Sequence, residues 1–441
     1  MTDETGDRPF WDLERYRSET IAPPRVAADG TRREQKLRMV YDGAAAVLFW
    51  TAFRSAFLTI LTIGFHRFWM ITRLRRFYWG AIRIDNDPLE YTGRGLEKLL
   101  GFLLALVFLA IYLGAVNITL AFVGFSYAAN DPTALQAVLN ISLVVTLPLI
   151  FYATYASHRY MLSRTRWRGI RFGLQPGAFG YMFRALGYSL LTAITLGLLY
   201  PYQHFKLVKY MTDRAWYGDL RFRQDGSWLE LFSQWLWIYI ILAIIGVLAW
   251  GFVENPENPA AYFFGTLAIL FGGFVLLIFF FRYFVCAFRV FWNNRTLGEA
   301  SFTNNVSTAR VLGIYIGGTL ATTVCAGLLT AGVGAIAYYA AFQVIDENAF
   351  LAALESEEQM LQIMSSAPIL LAGLVTYLVF VALAIAFGQV FISQPVLRAQ
   401  VAAMTVLNPA ALSESQQREA DAAAEAGGFA DALGVDVGGG F

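Results

Sequence analysis

Long apolar runs interrupted by short basic segments set the pattern of this chain. Between Leu99 and Ala156 there is no Lys or Arg, and the same holds from Leu229 to Phe281 and from Val311 to Leu397. A helix rises about 1.5 Å per residue, so roughly 20 apolar residues cross the ~30 Å hydrocarbon core of a bilayer. The runs therefore predict six full spans, near 99–125, 135–156, 229–253, 261–281, 311–342 and 367–393. Two further apolar segments differ. Ala44–Gly64 carries Arg54, Phe179–Tyr200 carries Arg184, and both end in Gly-containing turns. Each reads as an extra crossing or as a re-entrant or interfacial helix.

Charge decides between these. Only 15% of the 441 residues are charged, against about 25% in soluble proteins, which excludes a chain of ordinary soluble domains. The connectors 126–134, 254–260 and 343–366 hold no Lys or Arg, whereas 65–98 and 157–178 together hold 12. If the two unusual segments crossed, those 12 residues would lie outside. Lys and Arg concentrate on the cytoplasmic side, so six crossings are expected, with both termini in the cytoplasm. The acidic start Met1–Thr5 lacks a short apolar core, and no cleaved signal peptide is expected. Cys286 and Cys325 both sit in apolar segments, which excludes a disulfide framework.

The unusual segments end alike, in LTILTIG at 58–64 and LTAITLG at 191–197. At the same offset of 133 residues, Trp69, Arg73, Arg76 and Phe77 map onto Tyr202, Lys206, Lys209 and Tyr210. The spacing puts an aromatic and two cations on one helical face in both copies. This is a tandem repeat, and two crossings per copy make its halves parallel. A shorter motif occurs four times: RRFYWGAIRI at 75–84, RTRWRGIRF at 164–172, RAWYGDLRF at 214–222 and NRTLGEASF at 294–302. Each runs from basic residues through Gly80, Gly169, Gly218 or Gly298 into a short alternating segment. Turn residues follow each, which predicts short cytoplasmic β-hairpin elements able to pair into a common cap. The expected class is an all-α polytopic membrane protein carrying these elements. Its parts are a charged tail (1–43), repeat 1 (44–178), repeat 2 (179–308), a membrane hairpin (309–397) and a mostly disordered tail (398–441).

The LTxxTxG turn, the aromatic-basic helix after it, LEYTGRG at 89–95 and RTRWRGIRF at 164–172 resemble the bacterial inner-membrane YjgN family. The resemblance covers roughly 44–397. It implies a multi-pass inner-membrane protein and carries over no catalytic residue, because the family is defined by a domain of unknown function.

No GxxxxGK[ST], HExxH or GxSxG occurs in the chain, and His66, His158 and His204 are dispersed. No enzyme, metal or cofactor is expected. The glycines of 311–342 read as close helix packing. The residues singled out are Arg54, Arg73 and Arg76 with Thr62, and Arg184, Lys206 and Lys209 with Thr195. In each copy a threonine-containing turn precedes a helix, whose N-terminal N–H groups favour an anion. They are expected to bind small anions or lipid headgroups, with turn capping by the threonines as the alternative. Membrane lipids, anionic ones included, are the expected partners, nucleic acid is not, and oligomerisation is left open. Two functions fit: handling or transport of lipids or small anions through the repeat interface, or a non-enzymatic scaffold or sensor. Single-cysteine labelling from outside the cell should reach positions 130, 257 and 355; strong labelling at 90 or 170 would contradict six crossings.

Overall fold

The computed structural model describes residues 36–128, 132–254, 259–345, 356–413 and 415–417. Its first segment is extended: β1 (Lys36–Arg38) and β2 (Val40–Tyr41) are separated only by Met39. Four β-hairpins follow along the chain, each a strand of three residues, a two-residue turn and a strand of five. They are β3 (Ile82–Ile84) with β4 (Asp87–Tyr91), β5 (Thr165–Trp167) with β6 (Ile170–Leu174), β7 (Ala215–Tyr217) with β8 (Leu220–Gln224), and β9 (Arg295–Leu297) with β10 (Ala300–Asn304). A last strand, β11, is Met404–Leu407.

The turns explain the hairpins. Asp85 and Asn86 have φ of 52° and 65°, and Arg168 and Gly169 have 51° and 77°. Two left-handed central residues give the turn whose twist matches that of paired strands. Across the tips, Arg168 binds Asp85 at 2.6 Å and also pairs with Asp87, tying the first turn to the second.

The strands pair antiparallel in chain order into one eleven-stranded sheet that begins at β2 and ends at β1. Those two ends are halves of one extended segment. Lys36 and Arg38 face Leu407 and Thr405 of β11, while Val40 and Tyr41 face Arg83 and Ile82 of β3. The sheet therefore closes into a barrel with no free edge.

Helical pairs connect the hairpins. They are α1 (Ala45–Leu61) with α2 (Arg67–Ala81), α3 (Gly95–Ala128) with α4 (Pro132–Ser163), α5 (Ala178–Ile194) with α6 (Tyr200–Thr212), and α7 (Leu229–Glu254) with α8 (Pro259–Asn293). The last connection holds α9 (Thr308–Phe342), the short α10 (Glu357–Met364), α11 (Ala367–Gly388) and α12 (Gln394–Ala402). Up-and-down strand order puts every tight turn on one rim and every helical pair on the other. The helices form a ring in chain order, closed where α1 packs on α11. Tyr78 donates to the Gln389 side chain at 2.7 Å, in the π-helical turn between α11 and α12, and Gln394 donates to Gly43 O at 2.7 Å.

Among the described residues, five helices are long and apolar enough to cross a membrane: Gly95–Phe122, Leu229–Trp250, Tyr262–Asn293, Thr308–Phe342 and Ala367–Ala402. Their surfaces carry exposed Leu, Ile, Val and Phe along the whole length, the character of a lipid-facing protein. Close packing accounts for two glycines of α9. A Cβ at Gly318 would lie 2.4 Å from Phe391 O, and one at Gly334 would lie 3.1 Å from Thr376.

The short pairs α1–α2 and α5–α6 turn identically. Ile63 and Leu196 both have φ of 50°, and Gly64 and Gly197 both have 92°. Gly64 N donates to Thr59 O and Gly197 N to Thr192 O, each at 2.7 Å. The tips are apolar and bare, with Ile63 92% and Leu196 88% exposed.

Four expectations change. The protein is mainly helical, as expected, but its β elements form more than a cap: they join a single closed barrel, because each hairpin finds edge partners in its neighbours. The segments 1–43 and 398–441 are not wholly tails, since 36–41 and 404–407 complete that barrel; 1–35 and 418–441 lie outside the described residues. Gly80 lies inside α2, and the first hairpin turns at Asp85-Asn86. The turn residues after the other three motifs are strand-to-helix links, because Gly169, Gly218 and Gly298 already supply the hairpin turns. The acidic connectors near 130 and 257, and residues 346–355, lie outside the described residues.

The register yields a contrast on β11, where Met404 and Val406 are buried and Thr405 and Leu407 half-buried. Val406→Asp puts an unpaired carboxylate inside the barrel and should lower the thermal midpoint in detergent by many degrees. Thr405→Asp, one residue away on the outer face, should shift it far less.

Candidate functional site

Side chains alternate across a strand, so a closed barrel has an inside. Ile82 and Ile84, Trp167, Phe172 and Leu174, Tyr217, Leu297 and Phe302, and Val406 point inward. They do not fill the space. They surround a chamber of about 830 Å³, within the roughly 300–1,000 Å³ typical of small-molecule sites. Outward positions of the same strands include Arg83, Arg166, Arg171, Arg221 and Arg223, which accounts for much of the basic character of the hairpin motifs.

The helical rim roofs the chamber. His158 and Met161 come from α4, His204 and Val208 from α6, Phe281 and Phe284 from α8, Tyr315 from α9, and Leu397 and Gln400 from α12. The wall is mostly aliphatic and aromatic, so its few polar groups stand out. His204 Nδ1 lies 3.0 Å from the Tyr283 hydroxyl. Trp167, 3% exposed, has no acceptor for its indole N–H among the described residues.

Arg295 is the strongest exception. It opens β9 at an inward position, where β3, β5 and β7 carry Ile82, Thr165 and Ala215. Its Nε donates to Gln224 Oε1 at 3.3 Å and its Nη2 to Thr212 Oγ1 at 3.2 Å. The guanidinium stacks over Trp292, 4.5 Å from the ring centre. Burial pushes its pKa down to about 10, still cationic at neutral pH. Among the described residues no ion pair is recorded for it. The nearby Asp213 accepts from Lys209 at 3.1 Å and from the backbone N–H of Gln224 at 2.8 Å.

Gln224 holds this corner together. It is fully buried at the end of β8, and its Nε2 donates to the carbonyls of Phe291 (3.1 Å) and Asn294 (3.2 Å) at the end of α8. Asn304 occupies the matching place on β10: its N–H donates to Asn293 Oδ1 at 2.6 Å, as that of Gln224 does to Asp213.

None of the eight residues singled out from sequence lines the chamber. Arg54 is exposed on α1, 5.8 Å from the Trp50 ring. Arg73 reaches Ser55 Oγ at 3.4 Å and His66 Nε2 at 3.5 Å, and Arg76 donates to Gly93 O at 2.9 Å. Arg184 donates to Gly180 O at 2.9 Å and lies over Tyr210, Lys206 lies over Tyr202, and Lys209 binds Gln224 O and Asp213. Thr62 Oγ1 donates to Leu58 O at 2.7 Å and accepts from His66 N at 2.9 Å. Thr195 does the same with Leu191 O and Leu199 N, at 2.9 and 3.3 Å. Both hydroxyl protons are thus used within the turns. The chamber was legible only as alternation: in IRI, TRW, AWY and RTL the outer residues share a face, and only RTL puts a cation there.

Apolar helices on one rim of a closed barrel define a membrane protein of mixed architecture. Residues 36–432 match the family described as bacterial protein of unknown function (DUF898), and the chain belongs to it. The YjgN proteins that its motifs resemble fall within the same family. No curated protein and no solved structure matches the chain.

Gln224→Leu would strip the donor from two buried carbonyls and the acceptor from Arg295. Each buried polar group left unmatched costs about 1–3 kcal/mol. The variant should therefore unfold at clearly lower denaturant, measured in detergent, while Arg221→Leu on the outer face should not.

Proposed function

We propose that this protein takes up the hydrocarbon part of a membrane-derived molecule into the barrel chamber, as a lipid-handling protein of the bacterial inner membrane. The observation that carries the proposal is the chamber: a mostly apolar space of about 830 Å³ at the rim where the helices leave the barrel. Apolar surface is most stable when covered, and the adjoining bilayer is the nearest source of hydrocarbon. The barrel lies on the cytoplasmic side, since the basic segments of the chain belong to it and to the helices that enter it. Six helices cross, and the two short pairs dip in at their bare apolar tips. The identical turns at 62–64 and 195–197 support a tandem duplication of these pairs.

The test is lipid retention. The full-length chain, purified in detergent and washed, should release bound lipid on organic extraction, read by mass spectrometry. Ala215→Phe, which intrudes into the chamber, should retain less than half as much. Arg221→Ala on the outer face should retain the wild-type amount. Equal retention by Ala215→Phe would remove the chamber from the account.

A further inference from the structure

Arg295 gives that ligand a polarity. A guanidinium enclosed in apolar walls is costly unless a counter-charge meets it. Three other arginines of limited exposure have carboxylates: Arg164 pairs with Glu97 at 3.0 Å, Arg83 with Asp42 at 3.2 Å, and Arg168 with Asp85 at 2.6 Å. Arg295 has instead a neutral amide, a neutral hydroxyl and an indole face. These partners orient the fork without neutralising it. Nor does a carboxylate offset the effect of burial on its acidity. It stands on the inner face of β9, at the first residue of the strand, where barrel meets helices.

We infer that the chamber binds a single-chain amphiphile with an anionic head, the hydrocarbon lying along the inward face of the barrel and the carboxylate or phosphate held by Arg295 beside Thr212. A guanidinium offers parallel N–H donors matched to two oxygens of either head group. A neutral lipid of the same chain would fill the chamber and leave the charge unmet. The inference rests on the chamber as the ligand site and adds the chemistry of the ligand.

The experiment compares cis-parinaric acid with its methyl ester, fluorescent probes of one chain that differ in charge, on the full-length protein in neutral detergent. Wild type should bind the acid at least about tenfold more tightly than the ester. Arg295→Gln should bind the two alike, having lost the acid's advantage and kept the ester's affinity, which also reports that the chamber is folded. Arg295→Lys should recover part of the preference, and Arg221→Gln should leave it intact. Competition with oleate and with monooleoyl lysophosphatidate then tells carboxylate from phosphate; displacement by either supports the anionic head. Equal binding of acid and ester by wild type would overturn the inference while leaving the chamber as a lipid site. Binding of neither probe would overturn the chamber reading itself. If Arg295→Gln fails to fold, the wild-type comparison of acid and ester still decides the question.

Discussion

The structure depends on one strand having two partners. Residues 36–41 pair with β11 through their first half and with β3 through their second. An open sheet of eleven strands would leave two rows of unpaired backbone groups. Its inner face, made of Trp167, Tyr217, Leu297 and Val406, would be exposed to water. Closure satisfies the backbone and creates the enclosed space in the same step. It also joins a segment ahead of the first membrane helix to one beyond the last, so the barrel cannot be completed until β11 has been made.

Closure imposes a division of labour on the helices. Because strands alternate in direction, each long connection must leave from the same rim, and the helical pairs stand side by side in chain order. The contacts at the seam follow from this. Tyr78 on Gln389, Gln394 on Gly43 and α1 against α11 bind the first helical pair to the last. The π-helical turn at Gln389–Ser393 falls at that seam, where the Phe391 carbonyl approaches Gly318 closely enough to exclude any larger residue.

The same alternation separates two populations of arginine. Of those at outward positions, Arg83 and Arg223 pair with Asp42 and Asp225, and an ion pair at the surface contributes little. Arg295 is displaced by one register position to the inner face, and its energetics change accordingly: desolvation dominates, and its direct partners are neutral. A site of this kind is unfavourable for an empty protein and favourable for one that receives an anion.

Much was legible along the chain itself. Apolar runs free of Lys and Arg are long enough that only a bilayer accommodates them. The shared LTxxTxG segments require the same left-handed turn at Gly64 and Gly197. The hairpin motifs announce strands, because their glycines and alternation are local properties. What sequence could not decide was which strands meet. Pairing of β1 with β11 spans more than 360 residues, and no local rule of hydrogen bonding selects it over an open cap. For the same reason 36–41 and 404–407 looked like parts of tails: three to six residues have no stable structure without partners. The conspicuous cations Arg54 and Arg184 lie on exposed faces, while Arg295, unremarked in a basic motif, faces the chamber. Which side of a strand a residue occupies is set by register, and register belongs to the closed sheet.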